Sequence, residues 1–63
     1  MMTYGVALRT LDRAAGNGVT MLFVAAPDPI TAERRARRLG EERLGCVVMA
    51  DHAVPCPNFE PTA

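Results

Sequence analysis

Val24-Ala25-Ala26-Pro27-Asp28-Pro29-Ile30-Thr31-Ala32-Glu33-Arg34-Arg35, residues 24–35, decides the fold. An apolar run stops at two prolines that straddle an aspartate, and alanines and arginines follow. Pro27 has no amide for a sheet ladder, so it ends the strand before it. The Asp28 carboxylate is suited to accept from the free amides of a helix start. Pro29 takes the first helical position, where a missing amide costs nothing. It also biases Asp28 toward the extended conformation that a cap requires. The stretch reads as strand, cap, helix.

Upstream, Val19 to Ala26, VTMLFVAA, is branched, aromatic and of strand length. Met21, Leu22, Phe23 and Val24 are consecutive apolar residues, which predicts a strand covered on both faces. Downstream, the spacing predicts a helix over 29–43. Ala32, Ala36, Leu39 and Arg43 recur at helical intervals, with Gly40 beside them. A stripe of such small side chains lets a helix lie close against a sheet. Arg34, Arg35, Arg37 and Arg38 cover the outer sides. Glu33 is placed to meet Arg37, and Arg37 or Arg38 to meet Glu41 or Glu42, each pair contributing about 0.2–0.5 kcal/mol. Gly45 is the expected left-handed cap. Cys46 to Ala50, CVVMA, reads as the next strand. Strand, helix and strand in this order predict a βαβ unit with a parallel pair and a right-handed crossover. The expected fold class is α/β: a small βαβ, partial ferredoxin-like unit.

Before this unit, Tyr4 to Leu11 alternates as a strand would. Val6, Leu8 and Thr10 fall on one side, and Gly5, Ala7, Arg9 and Leu11 on the other. A helix over 6–15 is the rival, because Ala, Leu and Arg are good helix formers. Gly16-Asn17-Gly18 signals a turn. An extra N-terminal strand paired with 19–25 is one reading of residues 1–18, and a leader is the other. Residues 19–50 form the core unit. Residues 51–63, DHAVPCPNFEPTA, hold three prolines and read as an extended tail, with Val54 and Phe59 free to dock on a neighbour.

Residues 25–48 carry Ala26-Pro27-Asp28, Thr31-Ala32, Ala36, Leu39, Glu41-Glu42-Arg43-Leu44 and Cys46-Val47 in one register. This run resembles the first strand–helix–strand unit of the CutA family of divalent-ion tolerance proteins. The resemblance implies a ferredoxin-like fold, assembly into trimers, copper binding and no clear enzymatic activity. It also implies Cys46 as a copper ligand. The chain departs from the family after Ala50. It lacks the Pro-Gly turn and has no Trp, and the second βαβ half is missing.

Size and charge bound the function. With 63 residues the chain makes one domain at most, and its core is small. Formal net charge is zero, and all seven basic residues are arginine. Residues 33–43 hold five arginines against three glutamates, a mildly basic patch that falls short of a nucleic-acid footprint. Two cysteines make no secreted disulfide framework, no stretch is long enough to span a membrane, and no signal peptide is evident. A reducing, cytoplasmic setting is the expectation.

Cys46, His52 and Cys56 are the candidate metal ligands, with Asp51 able to add an oxygen. Thiolates with imidazole suit copper or zinc. Five residues separate the first pair and three the second, a spacing that matches no strong motif. The other reading is a buried Cys46, an exposed His52 and an incidental, exposed Cys56. Arg34, Arg35 and Arg38 are the candidate anion-binding residues. A Walker-type or dinucleotide site is not expected, because Pro29 has no amide to donate and no glycine-rich loop precedes it. With no serine and one histidine, no hydrolytic triad is legible. A lone βαβ unit leaves sheet edges and one sheet face open, which predicts a homo-oligomer, dimer or trimer. The expectation is a small non-enzymatic oligomeric α/β protein that binds divalent metal or acts in regulation. The alternative is an interaction mini-protein that docks on a larger protein through its tail or arginine face.

Overall fold

The computed structural model describes residues 1–10 and 19–62. The elements are β1 (Met2–Thr10), β2 (Val19–Ala26), α1 (Pro29–Leu44), β3 (Val48–Ala50) and β4 (Val54–Pro55). The fold is α/β, with one helix packed on a four-stranded sheet and an added N-terminal strand. Residues 6–10 are strand, so the helical alternative fails there. The expected Gly16-Asn17-Gly18 turn lies outside the described residues.

β1 is the central strand. β2 pairs antiparallel along it, with Tyr4 opposite Val24 and Val6 opposite Leu22. The other edge of β1 is shared end to end: β3 pairs with residues 8–10 and β4 with residues 4–5, both antiparallel. β2 and β3 both oppose β1, so they run parallel to each other, as a βαβ unit requires. They are not hydrogen-bonded neighbours, which corrects the expected parallel pair. β1 lies between them because Val6 and Leu8, 0% and 1% exposed, form the centre of the face that the helix covers.

The core lies between α1 and this face. Tyr4, Val6 and Leu8 of β1, Leu22, Val24 and Ala26 of β2, and Val48 of β3 pack against Ala32 and Ala36. Leu39, Ala50 and Ala53 complete it. Arg43 is exposed and does not join the buried stripe; Gly40 does. The reason is Leu8. A Cβ built on Gly40 would stand 2.5 Å from Leu8 Cδ1, so only glycine lets the helix approach there.

Both helix ends follow the sequence. Asp28 caps in the extended conformation (φ −154°, ψ 163°) with Pro29 next to it. Its Oδ1 accepts from the Thr31 amide at 2.8 Å, and its Oδ2 accepts from the Thr31 hydroxyl at 3.0 Å. These bonds hold the Asp28 carboxyl below its ordinary value, the backbone amide contributing most. Gly45 closes the helix at φ 68°, its amide donating to the Glu41 carbonyl at 2.9 Å. β3 is shorter than expected. Its pairing with β1 begins at Val48 opposite Thr10, which leaves Cys46 and Val47 outside the strand. Cys46 is accordingly half-buried rather than buried.

Candidate functional site

Pairing register sorts the strand residues into two faces. Thr3, Gly5, Ala7 and Arg9 of β1 lie opposite the helix, with Val19, Met21, Phe23 and Ala25 of β2 beside them. Met49 faces the same way as its partner Arg9, and Val54 the same way as its partner Gly5. This face carries no helix. Val19, Met21, Met49 and Val54 are 62%, 48%, 57% and 54% exposed. The apolar run in β2 is therefore covered on one face by the helix and only in part on the other, which corrects the expected double cover. The charge among these strand residues is Arg9, and Asp51 holds it at 3.2 Å.

The partial cover is the C-terminal segment. The Asp51 amide donates to the Ala7 carbonyl and the Cys56 amide to the Thr3 carbonyl, each at 2.9 Å, so the chain tracks β1 beyond the two residues of β4. At Cys56 it turns: the Phe59 amide donates back to the Cys56 carbonyl at 3.1 Å across Pro57 and Asn58. Phe59 then stacks on Phe23, with ring centroids 4.7 Å apart and planes at 13°. Thr62 reaches the outer edge of β2. Its amide donates to the Phe23 carbonyl, and its Oγ1 accepts from the Phe23 amide at 3.4 Å. Residues 56–62 thus form a strap from the β4 side of the sheet to the far edge of β2. Gly5 makes room for it: Cys56 Sγ, Met21 Cε and Phe23 Cε1 all crowd the place of a Cβ at 3.1–3.2 Å.

The strap corrects one sequence expectation and qualifies the extended tail. Cys56 is half-buried against β1, not exposed, because its neighbours are tied to the sheet. Phe59 docks on its own sheet, although 55% of it stays open to a neighbour. The residues that escaped sequence reasoning are Gly5, Phe23 and Thr62. A glycine inside a strand pattern was the available signal, since it marks a close approach.

The three candidate metal ligands occupy different places. Cys46 follows the helix cap, beyond the Val48–Thr10 end of the sheet, whereas Cys56 lies at the Thr3 end of β1. His52 is exposed on the connection between β3 and β4. Among the described residues no three His, Cys, Asp or Glu side chains group as metal ligands would. The candidate anion-binding arginines are divided by the helix. Arg35 and Arg38 line a groove of about 450 Å³ with Val24, Ala25, Leu39 and Glu42. Arg34 lines a second groove of about 360 Å³ on the β3 side, with Arg37 and Glu33. Arg35 donates to the Ala25 carbonyl at 2.6 Å, and Arg38 lies 3.7 Å from Glu42. Arg38–Glu42 is thus the ion pair between arginine and carboxylate at these grooves, and among the described residues the expected Glu33–Arg37 pair is not formed. Among the described residues no polar or charged side chain is buried.

The feature common to this face is exposed apolar area at Val19, Met21, Met49 and Val54. No helix among the described residues is long and apolar enough to cross a membrane. Comparison with family models finds no match for this chain, nor do the comparisons with curated proteins and with solved structures.

Proposed function

We propose that this protein is a non-enzymatic assembly module whose helix-free sheet face packs against the same face of a second copy. The observation that carries the reading is the set of exposed Val19, Met21, Met49 and Val54 on one face, with the outer side of Phe59 beside them. An apolar patch of this kind on a small domain marks an interaction surface. A second copy is the fitting occupant for two reasons. Isologous packing needs a self-complementary surface, and the one charge on these strands is neutralised by Asp51, so two copies meet without like-charge repulsion. A chain of 63 residues also gains the most from burying further apolar area in an assembly.

Light scattering after size exclusion, from low micromolar to near millimolar protein, tests it. The expected result is a concentration-dependent dimer that Met49→Glu returns to monomer. Arg9, the cross-strand partner of Met49, tolerates a carboxylate there, so the variant keeps its fold. A monomer across the whole range overturns the reading.

A further inference from the structure

The outer edge of β2 adjoins the open face and is closed by the same strap. Phe23 directs both its amide and its carbonyl away from β1, to Thr62. By the two-residue repeat of an antiparallel ladder, Met21 and Ala25 present their backbone groups on the same side. β2 is thus an edge strand of eight residues, VTMLFVAA, with no charge and no proline along it. Edges of this kind invite pairing with another chain, and folded proteins usually guard them with charge, proline or a covering segment. This edge has two guards, both brought from elsewhere in the chain. Thr62 occupies Phe23, and Arg35 reaches from the helix to the Ala25 carbonyl.

We propose that the β2 edge pairs with the β2 edge of a second copy when the strap lets go, and that residues 56–62 are the switch that keeps it closed. Antiparallel pairing about Phe23 sets Phe23 against Phe23 of the other copy and Met21 against Ala25. Each of these pairs exchanges backbone bonds through the outward groups, with Arg35 giving up the Ala25 carbonyl as the second copy arrives. This register keeps every core residue on the helix side, so the sheet continues without a slip of face. It also places Met21 and Phe23 of both copies side by side on the open face, where Phe59 had lain. The strap and the second copy compete for the same backbone groups of Phe23, so both cannot hold them at once. The strap is held by one aromatic stack and by exposed hydrogen bonds, few contacts compared with those that hold the core.

The test compares the full chain with the double variant Phe59→Ala, Thr62→Pro, which removes the stack and the Thr62 donor and leaves the core untouched. Sedimentation mass and residue-resolved amide exchange are read over the same concentration range. In the parent, the Phe23 amide is protected at every concentration. With Met49→Glu added to both proteins, so that neither packs through the open face, the variant reaches twice the parent's mass as concentration rises. The Phe23 amide loses its Thr62 partner and its protection when dilute, and the amides of Met21, Phe23 and Ala25 gain protection together as concentration rises. A variant with the parent's mass and an unprotected Phe23 amide throughout overturns the proposal. So does an assembly in which those three amides stay unprotected. Thr62→Pro alone, which spares the stack, gives a smaller shift in the same direction. Met49→Glu separates this from face packing, since it changes the parent's mass and leaves the Phe23 amide as it was.

Discussion

Phe59 lies on Phe23 with ring centroids 4.7 Å apart, thirty-six positions along the chain from it and on the far side of the sheet from the helix. The stack joins the proline-rich tail to β2. It makes the tail part of the fold. An offset aromatic pair of this kind contributes about 0.5–1.5 kcal/mol beyond its buried area. Phe59→Ala is expected to destabilise the chain by about 1 kcal/mol in a urea titration and to raise hydrogen exchange at Phe23. An unchanged midpoint together with unchanged exchange contradicts the docked strap.

Gly40→Ala is expected to destabilise the protein, although alanine is the better helix former. The propensity gain is about 1 kcal/mol. Against it, the new methyl meets Leu8 Cδ1 at 2.5 Å, and Leu8 is 1% exposed with nowhere to move. Overpacking of a tight core costs about 1–3 kcal/mol, so the net effect is a loss. Gly5→Ala is the comparison. Its Cβ would meet Cys56 Sγ, Met21 Cε and Phe23 Cε1 at 3.1–3.2 Å, so the strap side must give by a few tenths of an ångström, and the change costs about 1 kcal/mol, less than the closer clash at Gly40. Equal melting of the two variants would refute this contrast.

Gly45→Ala tests the helix end. With φ at 68° and nothing within 4 Å of a Cβ, the cost is conformational and not steric crowding. A loss of about 1 kcal/mol is expected from the left-handed backbone alone. Gly45→Asn, which tolerates that conformation, recovers much of it in the same thermal melt.

Acid should loosen the start of the helix. Asp28 titrates below the ordinary aspartate value of 3.8 because its charged form accepts from Thr31. The lowered value means the unfolded chain binds the proton more readily than the folded one. The stabilisation is therefore complete above 3.8 and falls away as pH drops through the folded-state value. Asp28→Asn keeps a capping oxygen and removes the charge. Its stability should be flatter than the parent's over that acid range, as read by circular dichroism at a series of pH values; parallel curves count against the cap.

The helix and its two ends were legible in the sequence because their determinants are local. Pro27, Asp28, Pro29 and Gly45 act within a few residues of themselves, and each sits where its chemistry predicts. The alternation of β1 was legible in part: it sets Val6 and Leu8 apart from Gly5 and Ala7, but it left a helix over 6–15 open and did not say which side the core takes. Three things were decided only by the tertiary structure. β1 entered between β2 and β3, because strand neighbours are chosen by which apolar face fits beneath the helix, and adjacency in the chain does not encode that. The ligand-type residues Cys46 and Cys56 went to opposite ends of the sheet, because β3 and β4 share one edge of β1 end to end. The proline-rich tail became a strap, because Gly5, Phe23 and the β2 edge are brought together only once the sheet has formed. Local sequence specifies where elements begin and end. Which faces stay bare, and what crosses them, is settled by contacts between residues far apart in the chain.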